Sequence, residues 1–156
     1  MALSKGTNSY VTVAECNSYF DNRLDASGWA SADNSMKVNA LVTATMLLDN
    51  MRWVGVAISE TQALAFPRVG SYFDPRLGTS VALSGVPSRI EKATFELANH
   101  LLTNEGLLDD TGSVIDLEVG SIKLSRVRKP SLLPNVVKQY INPLLVNSGN
   151  GWWRAN

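Results

Sequence analysis

The chain has 156 residues, 45% of them apolar and 18% charged, with fourteen basic side chains against fourteen acidic ones. This excludes intrinsic disorder, fits a single domain with its own core, and leaves no apolar run near the about 18 residues of a spanning helix. A single cysteine, Cys16, excludes an internal disulfide framework and a multi-cysteine metal site, and the first residues lack the apolar run of a signal peptide, so a reducing cytoplasm is the expected setting.

Residues 1–10 are polar and rich in Gly, Ser and Asn, which predicts an arm. Thr12 and Glu15 then form an S/T-x-x-E capping box, in which two orphan backbone donors of a helix start are satisfied. Val13, Cys16, Phe20 and Leu24 follow at helical spacing, and Val11 is placed to staple onto Cys16. A second helix capped by Asp33 or Ser35 carries the apolar stripe Ala40, Leu41, Ala44, Leu47, Leu48 and Met51. Residues 52–86 are less regular. Ser59 with Gln62 predicts another capping box and a short helical turn that Pro67 stops. The stretch from Val69 to Gly85 is turn-rich and reads as a surface loop. A third long helix opens at Pro87 or Ser88, with Ser88 and Glu91 as a third capping box. Ile90, Ala93, Leu97, Ala98 and Leu101 form one face, Phe95 and Leu102 widen it, and Gly106 is placed as the C-terminal cap.

The period then changes. Ile115, Leu117 and Val119 alternate with Asp116 and Glu118, and after Gly120-Ser121 the alternation resumes as Ile122-Lys123-Leu124-Ser125. A two-residue type II′ turn predicts the pairs Val119–Ile122, Glu118–Lys123 and Leu117–Leu124. A basic linker with Arg126, Arg128 and Lys129 leads to a last helix. That helix has Pro134 at its start and Pro143 kinking or closing its end. The expected fold class is mainly α: a small helical bundle with one β-hairpin near 114–126 in a single domain over 1–146, and an extended C-terminal arm whose tail is 147–156.

The zero net charge conceals a division. Residues 1–118 carry eight basic and all fourteen acidic side chains, whereas residues 119–156 carry six basic ones and no acid. Such asymmetry marks a nucleic-acid or partner-binding segment, or a plainly solvated surface. Trp152-Trp153-Arg154 closes the chain. Trp and Arg are enriched at interface hot spots, and aromatic platforms beside positive charge also stack single-stranded bases. Arg126, Arg128, Lys129, Lys138, Trp152, Trp153 and Arg154 are therefore the candidate interface residues. Catalytic patterns are scarce. His100 with Cys16 is the one conceivable nucleophilic pair, and a lone cysteine on an apolar stripe reads more simply as a small hydrophobe. Asp109-Asp110 reads as a solvated turn. No phosphate loop, dinucleotide fingerprint or metal cluster occurs, so neither enzyme activity, cofactor nor metal is expected.

Several segments together resemble a family of tailed bacteriophages. These are Tyr10-Val11-Thr12-Val13-Ala14-Glu15, Tyr19-Phe20, Arg23 and Trp29, then Ala40-Leu41, Ala44-Thr45 and Leu48-Asp49. The most specific is Gln62-Ala63-Leu64-Ala65-Phe66-Pro67-Arg68, followed by Val86-Pro87, Ile90, Ala93, Glu96-Leu97-Ala98, Val119 to Leu124 and Leu144-Leu145. The family is labelled "putative DnaT-like single-stranded-DNA-binding protein", and its members are also found as head–tail connector, or adaptor, proteins. Position 66 departs from the family's usual Trp, and 147–156 lies outside the shared part. The resemblance implies a virion structural protein: a dodecameric adaptor ring of self-contacts beneath the portal protein, joined to a tail or neck protein. Genomic DNA would pass through its channel, with no membrane partner. The implied location is the virion neck, after synthesis in the host cytoplasm. The alternative is a DnaT-like module that binds single-stranded DNA through the basic and aromatic residues named above.

Overall fold

Thr12 starts the first helix as the capping box predicts. Its hydroxyl accepts from the Glu15 N–H at 3.2 Å while the Glu15 carboxylate accepts from the Thr12 N–H at 2.7 Å. The computed structural model describes residues 2–108, 117–119, 122–124 and 131–146. Helix α1 covers Val13–Phe20, a short α2 covers Ser27–Ser31, and α3 covers Asn34–Asp49, capped by the Asp33 carboxylate on the Met36 N–H at 2.8 Å. Ala40, Leu41, Ala44 and Leu48 of the foreseen stripe are buried. Helix α4, Ser88–Thr103, buries Ile90, Ala93 and Leu97 on one side and Thr94, Phe95, Glu96 and Ala98 around it. It packs against α2, α3 and a fifth helix, α5, Asn135–Ile141. A single 3-10 turn, Asn142–Leu144, closes α5, with Pro143 inside it.

The described residues include six short strands: β1 Val56–Ala57, β2 Arg68–Val69, β3 Ser71–Asp74, β4 Thr79–Ala82, β5 Leu117–Val119 and β6 Ile122–Leu124. They pair β1–β2, β3–β4 and β5–β6, each antiparallel. The β5–β6 register is Leu117–Leu124, Glu118–Lys123 and Val119–Ile122, as the alternation predicts. The turn residues 120 and 121 lie outside the described residues.

The architecture is therefore a mixed small domain, and the expectation of a helical bundle with one hairpin is corrected. The β3–β4 sheet comes from the stretch read as a loop, and β1–β2 from the irregular residues on either side of the expected helical turn. Their strands have two to four residues, too short for an alternating pattern to emerge. The predicted turn at Ser59 forms only in part. The Ser59 N–H donates to Gln62 Oε1 at 3.1 Å, but no helix follows. At α4 the cap is Pro87, with no side-chain capping bond, so the Ser88–Glu91 box is absent. Its C-cap is Asn104, and Gly106 lies beyond it.

The expected N-terminal arm also changes. Residues 9–11 belong to the core: Ser9, Tyr10 and Val11 have no exposed surface. Tyr10 donates its N–H to Thr45 Oγ1 at 3.3 Å and its hydroxyl to Asp49, giving a large apolar ring a satisfied polar tip. The last helix stands where Pro134 and Pro143 place it, and Val137, Ile141 and Leu144 of this segment are buried in the core. The Val54 N–H donates to the Leu144 carbonyl and the Val146 N–H to the Arg52 carbonyl, both at 2.9 Å, so this segment is pinned to the start of the β region. The tail 147–156 lies outside the described residues.

Candidate nucleic-acid interface

Phe66 anchors the region that carries the candidate surface. It is 2% exposed and takes edge contacts from Tyr10 and Trp53, at ring separations of 6.1 and 5.3 Å. The Ala65 N–H donates to Asp49 Oδ1 at 2.6 Å. Arg68 then gathers four main-chain carbonyls: Gly55 at 2.6 Å, Val54 at 2.9 Å, Ala65 at 3.3 Å and Trp53 at 3.4 Å. One guanidinium, with its fork of five donors, so ties residues 53–55 to 65–68. The segment that carries the family resemblance most specifically is thus a structural buckle, and Arg68 is committed inside it. Gly55 completes it. Its φ is +74°, and a Cβ there would sit 2.3 Å from the Val69 carbonyl oxygen.

One residue beyond β2, the β3–β4 hairpin projects. Its register is Ser71–Ala82, Tyr72–Val81, Phe73–Ser80 and Asp74–Thr79. The loop between is Pro75-Arg76-Leu77-Gly78. Asp74 accepts from the N–H groups of Leu77 and Gly78 at 3.1 and 2.8 Å, and Gly78 supplies the positive φ, +67°. Asp74 and Pro75 are the preferred residues for the first two turn positions. Tyr72 and Asp74 face inward, and Phe73 faces out and is 58% exposed.

Asp74 is buried, and its carboxylate is fully engaged. Oδ1 accepts from Arg89 at 2.6 Å and from the Arg76 N–H at 2.9 Å, and Oδ2 accepts from the Tyr72 hydroxyl at 3.3 Å. The Arg89 guanidinium holds this carboxyl down to about 2, against the opposing effect of burial. A carboxyl whose folded pKa lies below its unfolded value of about 3.9 contributes stability that is complete above about pH 4. That contribution is lost as the pH falls toward about 2. Arg89→Leu removes the partner, so its acid-unfolding midpoint is expected at higher pH than that of the wild type. Urea midpoints measured in steps across this range check it, and identical pH profiles for the two proteins would disprove it.

The other ion pairs of the body are local. Lys5 meets Glu15 at 2.5 Å and Glu91 at 3.3 Å, and Arg23 meets Glu96, which also accepts from the Tyr19 hydroxyl at 2.6 Å. Bonding to Glu15 raises the Lys5 pKa, while Glu15 is lowered by Lys5 and Thr12 against the cost of burial. Burial raises Tyr19, reinforced by Glu96. Lys37 lies over the Trp29 ring at 5.2 Å. Among the described residues, Arg52 and Arg76 are exposed arginines without an ion-pair partner.

Of the sequence-derived candidates, the structure places Lys138 half-buried on α5. Arg126, Arg128, Lys129, Trp152, Trp153 and Arg154 lie outside the described residues. Phe73 and Arg76 are the residues that sequence reasoning missed. A usable signal was present in Tyr72-Phe73 and Thr79-Ser80-Val81, two β-prone runs around Asp74-Pro75 and Gly78. Cys16 is fully buried, and burial pushes its thiol pKa up, so it is a poor nucleophile. His100 Nε2 lies 2.8 Å from the Ser131 carbonyl, tying α4 to the segment before α5. No group of three metal-ligating side chains occurs among the described residues, and no helix there is long and apolar enough to cross a membrane.

A family model described as "Putative DnaT-like ssDNA binding protein" matches residues 2–154. The chain belongs to this DnaT-like family. No curated protein and no solved structure matches it. The match covers the basic C-terminal quarter as well as the helical body, including the tail from residue 147 that the motif comparison left outside. It also corrects the reading of the chain as an adaptor ring. The family is described by single-stranded DNA binding, and its description contains nothing of a head–tail connector, a portal or a tail.

Proposed function

We propose that this DnaT-like protein binds single-stranded DNA and is not an enzyme. The observation that carries the reading is the family match over residues 2–154. The charge division supports it. The last 38 residues hold six cations and no carboxylate side chain, so a phosphate backbone meets no repulsion from side chains there. Arg126, Arg128, Lys129, Lys138 and Arg154 neutralise phosphates, and Trp152 and Trp153 supply stacking faces for unpaired bases. The acidic body favours this division of labour. Four of its carboxylates are held in the ion pairs described above, and the rest keep the strand away from the helices.

Fluorescence anisotropy with a labelled oligothymidylate of about 16 nucleotides tests the reading. Affinity is expected to fall with salt at a log–log slope of about −0.7 per phosphate contacted, or about −3.5 when all five cations engage. A duplex competitor displaces the strand poorly, because paired bases offer no free face. Absence of binding at low salt would refute the proposal.

A further inference from the structure

We infer that the outer face of the β3–β4 hairpin is a base-stacking platform, with Phe73 as the stacking ring and Arg76 as its phosphate contact. The inference rests on the single-stranded-DNA reading and adds a site to it in the body of the protein. Phe73 is more than half exposed on a strand whose other face is packed. Its neighbours on the outer face are Ser71, Ser80 across the ladder, and Ala82. All are small, so the ring stands above a low floor and its face is open to a planar group.

Charge identifies the occupant. The one carboxylate of the hairpin, Asp74, points inward and is neutralised by Arg89. The outer face therefore carries no anion, while Arg76 stands exposed in the adjoining turn with its backbone N–H held by Asp74. A nucleic-acid strand uses both groups, one for the base and one for the phosphate. The hairpin also stands next to the C-terminal path. Strand β3 packs on the Asn142–Leu144 turn, and exposed Arg52 is joined to Val146 through its carbonyl. From Val146 the chain reaches Trp152 within about 20 Å of contour. One strand can thus reach both Trp152 and the hairpin.

The test compares wild type, Phe73→Ala, Phe73→Trp and Arg76→Ala in full-length protein, with the labelled oligothymidylate as probe. Phe73→Ala is expected to weaken binding about 5- to 150-fold with an unchanged salt slope, the value of one stacked base. Phe73→Trp restores it. Arg76→Ala weakens binding and flattens the slope by about 0.7. All three variants keep the wild-type melting temperature, because both side chains are exposed. Binding by wild type with equal affinities and slopes in Phe73→Ala and Arg76→Ala overturns the platform and leaves the DNA reading standing. Failure of wild type itself to bind refutes the DNA reading. Unchanged DNA affinity with a change of oligomeric mass in Phe73→Ala makes the face a protein interface, which also overturns the platform.

Discussion

Phe66→Ala is expected to destabilise the protein by about 3–5 kcal/mol, the range for emptying a buried aromatic site. Phe66 is 2% exposed and wedged between Tyr10, before α1, and Trp53, after α3. Its removal leaves a cavity that neither ring can fill, because each is tethered. Tyr10 is held by Asp49, and Trp53 donates its indole N–H to the Leu48 carbonyl at 3.0 Å. For a domain of this size the melting temperature should fall by roughly 10 °C. Phe66→Trp keeps an aromatic wedge and should cost less, at most the roughly 1–3 kcal/mol of overpacking. Urea denaturation of the three proteins checks the order, and a Phe66→Ala midpoint equal to that of the wild type would show that the wedge carries no stability.

Arg68→Ala should cost about 2–3 kcal/mol, because carbonyls bonded to a charged donor lose it together. Gly55, Val54, Ala65 and Trp53 all accept from this one side chain. Lysine cannot replace it, since a single ammonium cannot span the fork that four separated oxygens require. Arg68→Lys should therefore resemble Arg68→Ala in urea unfolding. Combining Arg68→Ala with Asp49→Ala should give less than the sum of the single effects. Both residues hold the same segment, Asp49 through the Ala65 N–H and Arg68 through the Ala65 carbonyl. Strict additivity would show that the two ties act on separate structures.

The starts of α1 and α3 were legible because their signals are local, whereas the five-residue α2, with no side-chain cap, was not foreseen. Thr12 with Glu15 and the Asp33 cap declare helix starts within four residues of chain. The stripe from Ala40 to Leu48 repeats often enough to define a face. The β5–β6 register was also legible, since an alternating run on each side of Gly120-Ser121 admits one pairing that keeps the apolar residues together. The β1–β4 region was not. Its strands are held by bonds between residues distant in the chain: Arg68 to carbonyls 13 to 15 residues back, and Arg89 to Asp74. Tyr10 misled for the same reason, since its partners Thr45 and Asp49 lie 35 and 39 residues away.

The candidate site divides along the same line. The sequence alone determined the charge asymmetry, with every acid at or before Glu118 and six cations beyond it, because charge is a property of composition and needs no coordinates. It also determined the residue types available for phosphate and base contacts in the C-terminal quarter. Only the tertiary structure decided which cations of the body are available. Arg68, Arg89, Arg23 and Lys5 are consumed by carbonyls and carboxylates that the fold brings to them, while Arg52 and Arg76 stay exposed. It also decided that Phe73 faces outward and Tyr72 inward. Successive residues of a strand point to opposite faces, and the sequence of so short a strand does not state which face meets the core.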